Sequence, residues 1–278
     1  MFSVLHGGAA LPLGLSLAFA LLLGVVHGIT PDEHTWPITF SYAVGSYSVR
    51  GGLVVGAVFA LAFTLQRAVL SELAYLGLSR VLASPSVNNP VYVAVGVAMA
   101  IAGYVALRRG REHAAGDAPR PFVSPGMAAV HGLVAGFGVG AYALVLYTVL
   151  APSMPGPALG FLPGLLFGIG TLLVQAPAGA LFGYYMRRLQ LPERSIQSIA
   201  ARSAGETLLY GGFAFALVGI VGILWPQAVA WSLPTHIAIP NLSSINVGLI
   251  LVVFVVLGIG FSSVFFGIRR ERALLVRS

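Results

Sequence analysis

Apolar stretches of about twenty residues recur from one end of this chain to the other, and no other feature limits its fold so severely. A helix of that length crosses a hydrocarbon core of about 30 Å and pairs its backbone polar groups within its own segment, as lipid requires. Only 8% of the 278 residues are charged and 58% are hydrophobic, so polar groups are too few to coat a water-soluble globule. The expected class is all-α: one polytopic transmembrane helix bundle, residues 1–278, of about seven spans. They fall at 9–29, 52–76, 90–107, 127–150, 160–186, 206–231 and 245–268.

All fifteen basic residues are Arg, and most sit in short polar segments beside the apolar ones. Arg108, Arg109, Arg111 and Arg120 follow the third span, Arg187, Arg188, Arg194 and Arg202 the fifth, and Arg269, Arg270, Arg272 and Arg277 the seventh. Segments 151–159 and 232–244 carry none. With basic loops on the cytoplasmic side, this alternation predicts a multi-pass protein of the cytoplasmic membrane, N-terminus outside and C-terminus inside. Thr30 to Arg50 would then lie at the cytoplasmic face, with Asp32 and Glu33 facing inward or into the bundle. The net charge of +7 is accounted for by orientation, and no nucleic-acid partner is expected. The residues before the first apolar stretch have no basic region, and that stretch is too long for an ordinary signal sequence, so it is expected to remain as a span.

Absent residue types narrow the chemistry further. With no Cys there is no disulfide and no thiolate metal site, and with no Lys there is no Schiff base. Any metal ligand must be His or carboxylate. The patterns His-Glu-x-x-His, Gly-x-Ser-x-Gly and the Lys-bearing phosphate loop are missing, which lowers the expectation of an enzyme.

An internal repeat is visible in the order of these segments. Val4-Leu5-His6-Gly7-Gly8 resembles Ala129-Val130-His131-Gly132-Leu133, Ile29-Thr30-Pro31 resembles Leu150-Ala151-Pro152, and Gly52 to Gln66 resembles Gly160 to Gln175. Halves at 1–110 and 125–231 would hold three spans each and lie inverted to one another in the membrane, with 245–268 as an added helix.

The chemistry concentrates in Gly24-Val25-Val26-His27-Gly28-Ile29-Thr30-Pro31-Asp32-Glu33-His34. A straight helix would keep Asp32 off the face shared by His27 and His34. Pro31 removes a backbone hydrogen bond and pushes Thr30 toward an extended conformation, so the chain should bend and bring the side chains together. Imidazole with carboxylate oxygen suits nickel, cobalt, zinc or iron. A plainer reading makes Thr30 or Asp32 a helix cap. Against it, ionisable groups near a membrane core are expensive unless they function.

His27-x4-Asp32 followed by His34 resembles the His-x4-Asp-His signature of the nickel/cobalt transporter family, related to urease-accessory and exporter membrane proteins. In that signature the Asp and second His are adjacent, whereas Glu33 intervenes here. The next helix, where that family carries a His-containing segment, offers Thr64, Gln66, Arg67, Ser71 and Glu72. The specific signal covers about 60 N-terminal residues. The resemblance implies His27, Asp32 and His34 as metal ligands, with Glu33 adding charge or a fourth ligand.

Other polar residues have weaker claims. His131, Gln66, Arg67 and Glu72 are candidates for a further ligand or for the substrate path, and Arg67 and Glu72 should each find a partner on a neighbouring helix, such as Asp32 or Glu33. Gln175 and Glu206 read as fasteners between helices, and His6, His113 and His236 as loop residues. The expected function is a secondary permease for a divalent transition metal, with nickel or cobalt favoured over zinc or iron, and with no prosthetic group. Expected partners are lipid, the ion and, in a homo-oligomer, further copies of the chain. Three alternatives compete: a membrane-embedded metal hydrolase, an anion or small-solute exporter that uses Arg67, and a non-catalytic membrane subunit.

Overall fold

Pro31 ends the first helix. Thr30, placed before it, is extended (φ −73°, ψ 144°), so α1 covers Leu13–Ile29 and α2 begins only at Trp36 and runs to Ser46. Pro37 opens α2 in its first turn, where a missing N–H costs nothing. Tyr47 then turns the chain in the left-handed region (φ 40°), and the Ser48 hydroxyl accepts the Gly51 N–H at 3.0 Å to start α3, Val49–Leu73. Past Leu73 the helix continues through a π-helical turn to Leu82, with a kink at Gly77 (φ 107°). The remaining helices are α4 (Pro85–Ala114), α5 (Pro125–Ala135), α6 (Ala141–Leu150), α7 (Leu162–Arg187), α8 (Glu193–Leu224) and α9 (Val247–Val276). A two-stranded hairpin, β1 (Ser232–Pro234) and β2 (Ser244–Asn246), joins α8 to α9. The computed structural model describes residues 12–82, 85–114, 123–138, 140–239 and 241–277; Val4 to Gly8 and Arg120 lie outside them.

Among the described residues, five helices, in the stretches Val49–Leu82, Val87–Glu112, Pro157–Arg187, Glu193–Leu224 and Val247–Val276, are long and apolar enough to cross a membrane. Large apolar side chains such as Leu61, Ile101, Leu173, Phe213 and Leu217 point outward, a surface compatible with a multi-pass protein in lipid.

Glycine lets the long helices touch. α3 and α7 pack antiparallel, with Gly52 and Gly179 so close that a methyl group on either would overlap the other's carbonyl. α4 and α8 meet in the same way at Gly96 and Gly212. Small residues allow such close backbone approach where lipid provides no hydrophobic drive for helix association.

α1 and α2 together run alongside α7. Gly24 meets Phe167 and Gly28 meets Thr171 and Val174; beyond the break, the Phe40 ring packs on Phe182 at 5.2 Å. The gap between α1 and α2 is therefore level with the middle of α7. The segment 30–50, expected at the cytoplasmic face, is instead largely a helix inside the bundle, with every residue from Pro37 to Gly45 buried. Its hydroxyls disguised it by lowering the local hydropathy. Two of them are satisfied locally, the Ser41 hydroxyl donating to the Pro37 carbonyl at 2.7 Å and the Ser46 hydroxyl to the Ala43 carbonyl at 2.8 Å.

Two further expectations are refined. The span expected at 127–150 is broken between α5 and α6 at Gly136 to Gly140. The Arg-rich segment after α7 is a short link, because α8 starts at Glu193 and already carries Arg194 and Arg202. The helix directions bring Arg50, Arg108, Arg109, Arg111, Arg187, Arg188, Arg194, Arg202, Arg269, Arg270 and Arg272 toward one end of the bundle. The hairpin and the exposed Trp225 and Trp231 lie at the other.

Candidate metal centre

The centre forms where the end of α1 and the start of α2 meet, and each helix end contributes its own field. Side chains gather on the carbonyls at the end of α1, where the helical hydrogen-bond ladder runs out. Thr30 Oγ1 donates to Val26 O at 2.9 Å, Gln175 Nε2 to Gly28 O at 3.0 Å, and Thr171 Oγ1 to Gly24 O at 3.2 Å. The negative end of α1 favours a cation, while the positive start of α2 favours the carboxylates of Asp32 and Glu33. Asp32 Oδ1 accepts the His34 N–H at 2.9 Å, and the Asp32 carbonyl accepts the Thr35 and Trp36 N–H groups at 3.3 and 3.2 Å. The Pro bend thus becomes a tight turn presenting three side chains to one point.

Asp32, Glu33 and His34 each place a ligand atom within 4.8 Å of the others. His34 Nδ1 lies 3.6 Å from Glu33 Oε1 and 3.9 Å from Asp32 Oδ1. An ion bound at roughly 2.1 Å holds its donors about 3.0–3.5 Å apart, so small side-chain rotations close these gaps around one ion. His27 stands outside this trio and faces the other oxygen of Asp32, with Nδ1 3.7 Å from Oδ2. Both ring nitrogens of His27 and Nε2 of His34 are buried without a hydrogen-bond partner. Buried imidazole nitrogens with lone pairs and no partner are a standing cost that a metal relieves.

Charge argues the same way. Asp32 is 3% exposed and Glu33 is half-buried, and among the described residues no Arg lies within 4.0 Å of either carboxylate. Two adjacent carboxylates, one buried and one half-buried, with imidazoles, among the described residues, as the only basic groups paired to them, are poorly compensated, and a divalent cation supplies the missing charge.

Aromatic rings wall the site. His27 stacks on Phe63 at 5.7 Å and packs on Phe167 and Tyr142 at 5.1 and 5.5 Å. On the other flank, Tyr92 OH donates to Glu33 Oε1 at 2.8 Å and its ring lies 5.1 Å from His34. The second helix break adjoins the first, because Gly138 sits against the His34 ring.

The remaining candidates do not join the cluster. Arg67 is 2% exposed and donates from Nη1 to Tyr147 OH at 2.7 Å and from Nη2 to Gly138 O at 2.8 Å. Its guanidinium also lies over the Phe63 ring at 4.7 Å. Arg67 thus found a carbonyl and a phenol where a carboxylate partner was expected. Gln66 abuts Gly136, and Glu72 lies beside Gly160. His131 Nδ1 lies 2.8 Å from Tyr42 OH and 3.0 Å from Met127 O, linking α5 to α2. Glu206 fastens α8 to α9 by accepting the Ser263 hydroxyl at 2.6 Å.

Two site residues escaped the sequence reading, Tyr92 and Asn241. Asn241, from the loop between β1 and β2, donates Nδ2 to Asp32 Oδ2 at 3.2 Å. It lies 209 residues beyond its partner and no local motif marks it, although it falls in an Arg-free segment between spans. Comparison of the chain with protein-family models, with curated proteins and with solved structures finds no match in any of the three.

Proposed function

We propose that this chain is a secondary permease carrying a divalent transition-metal ion, nickel or cobalt, across the cytoplasmic membrane, with Asp32, Glu33 and His34 holding the ion and His27 completing its surroundings. The observation that carries the reading is the convergence of these donors at a break between two half-helices in the middle of the bundle. Secondary transporters place ion sites in such interruptions, where helix ends supply fixed partial charges. Mixed imidazole and carboxylate donors without thiolate suit first-row divalent ions.

The helix directions support an inverted repeat as part of this reading. α1 runs parallel to α7 and α5 runs parallel to α3, while α3 and α7 are antiparallel, as are α4 and α8. Swapping the triplet α1–α2, α3, α4 for α5–α6, α7, α8 preserves each of these relations. The register we favour aligns Val26-His27-Gly28-Ile29 with Val130-His131-Gly132-Leu133, because each of these stretches comes shortly before a helix break. Counting α1–α2 and α5–α6 as one crossing apiece gives seven crossings, with α9 as the addition. The gathering of Arg at one end supports a cytoplasmic position for that end and for the C-terminus.

The test is uptake of radioactive nickel and cobalt into liposomes containing the purified protein, under a metal gradient and without ATP. Flux is expected from the unaltered chain and not from His27→Ala or His34→Ala. Equal flux from all three proteins overturns the reading.

A further inference from the structure

We propose that the loop between β1 and β2 closes the outer mouth of this site, and that Asn241 is both its latch and the residue that screens an arriving cation. The proposal rests on the permease reading for the identity of the cargo, but the closure itself stands on contacts that involve no metal.

Two kinds of group flank the centre. One is Arg67, whose guanidinium lies over Phe63 and, at 5.7 Å, over Phe167, the two rings that also pack on His27. A cation on that side would meet a fixed positive charge inside an aromatic, water-poor wall, where like charges repel strongly. The other is an amide from the hairpin loop. Asn241 Nδ2 holds Asp32 Oδ2, the same oxygen that faces His27.

The loop is built to present that amide. Asn241 has a left-handed backbone (φ 64°), as does His236 (φ 60°). Thr235 pins the base of the loop: its N–H donates to Ser243 O at 3.0 Å and its hydroxyl to Leu242 O. A carboxamide offers a donor on one side and an acceptor on the other. Here Asn241 gives its N–H to Asp32. Turning over, it would offer Oδ1 to an incoming divalent ion and release Oδ2 to coordinate the ion with His27. An ion whose hydration is not surrendered to oxygen and imidazole ligands would leave the latch shut.

Gly140 provides the reporter, since a Cβ there would stand 3.7 Å from Asn241 Oδ1 and 4.0 Å from Asp32 Oδ2, in ordinary contact. The chain has no Cys of its own, so Gly140→Cys carries a single thiol. The experiment measures its labelling by a charged, membrane-impermeant thiol reagent added to the outer face, with and without Asn241→Ala; Asn241→Gln serves as a folding control judged by gel-filtration elution. Loss of one hydrogen bond to a carboxylate should speed labelling by about tenfold in Asn241→Ala. In the metal-flux assay the same substitution should narrow the preference for nickel over magnesium. Unchanged labelling overturns the proposal, whatever the flux. Faster labelling with no metal flux from any variant supports the latch and overturns the permease.

Discussion

Gln175 and Gly28 are joined across α7 and α1 by one hydrogen bond, from the Gln175 carboxamide Nε2 to the Gly28 carbonyl at 3.0 Å. It satisfies a carbonyl that the break leaves without a helical partner, directly after the His27 backbone. Gln175→Leu leaves that carbonyl buried and unpaired, and should lower stability by about 1 kcal/mol. A fall in the thermal unfolding midpoint in detergent reads this out. An unchanged midpoint would mean that the end of α1 is held by Thr30 and Thr171 alone.

Gly138 offers a way to disturb the ligands without removing one. A Cβ at this position would stand 2.7 Å from three atoms of the His34 ring. Gly138→Ala should therefore push the imidazole off the Asp32–Glu33 pair and weaken metal binding at least about tenfold, the change expected when a supporting contact of a metal ligand is altered. Titration of the purified variant with nickel checks this. Native affinity in Gly138→Ala would show that His34 is free to move and does not depend on the second break.

Arg67 separates the permease from an anion exporter. Here it is a structural cation that ties the second break to α3 through Gly138 O and Tyr147 OH. Arg67→Lys cannot reproduce the two-pronged contact and should destabilise the fold by about 1–3 kcal/mol while leaving metal specificity unchanged. Chemical denaturation alongside metal competition measures both. Intact stability with lost transport of an anion would assign Arg67 to substrate.

Pro31 tests the break itself. With Ala in its place the backbone N–H returns and Thr30 is free to become helical. Pro31→Ala should let α1 lengthen past Ile29 and draw Asp32 away from His34, with loss of binding but little loss of helix. Circular dichroism and nickel titration together report this. Unaltered binding would show that the Asp32 turn, with its bond to the His34 N–H, suffices to set the geometry.

Much of this architecture is legible in the sequence because lipid imposes long apolar helices and Pro31 imposes a break. The cluster is legible too, since charge is so scarce that Asp32, Glu33 and His34 stand out. The interior course of α2 was hidden. Thr39, Ser41, Tyr42 and Ser46 make 36–46 read as a polar loop, although the Ser41 and Ser46 hydroxyls donate to nearby backbone carbonyls and the segment buries as a helix. The second break was hidden because Gly136 to Gly140 contains no proline, and glycine is common throughout membrane helices. Tyr92 and Asn241 reach the site by tertiary packing alone, which periodicity and spacing do not encode.

The most direct measurement is calorimetric titration of the purified, detergent-solubilised protein with nickel, beside Asp32→Asn and His34→Ala. One ion per chain is expected for the unaltered protein and no measurable binding for either variant. Binding of equal stoichiometry and affinity in all three would contradict the proposed centre.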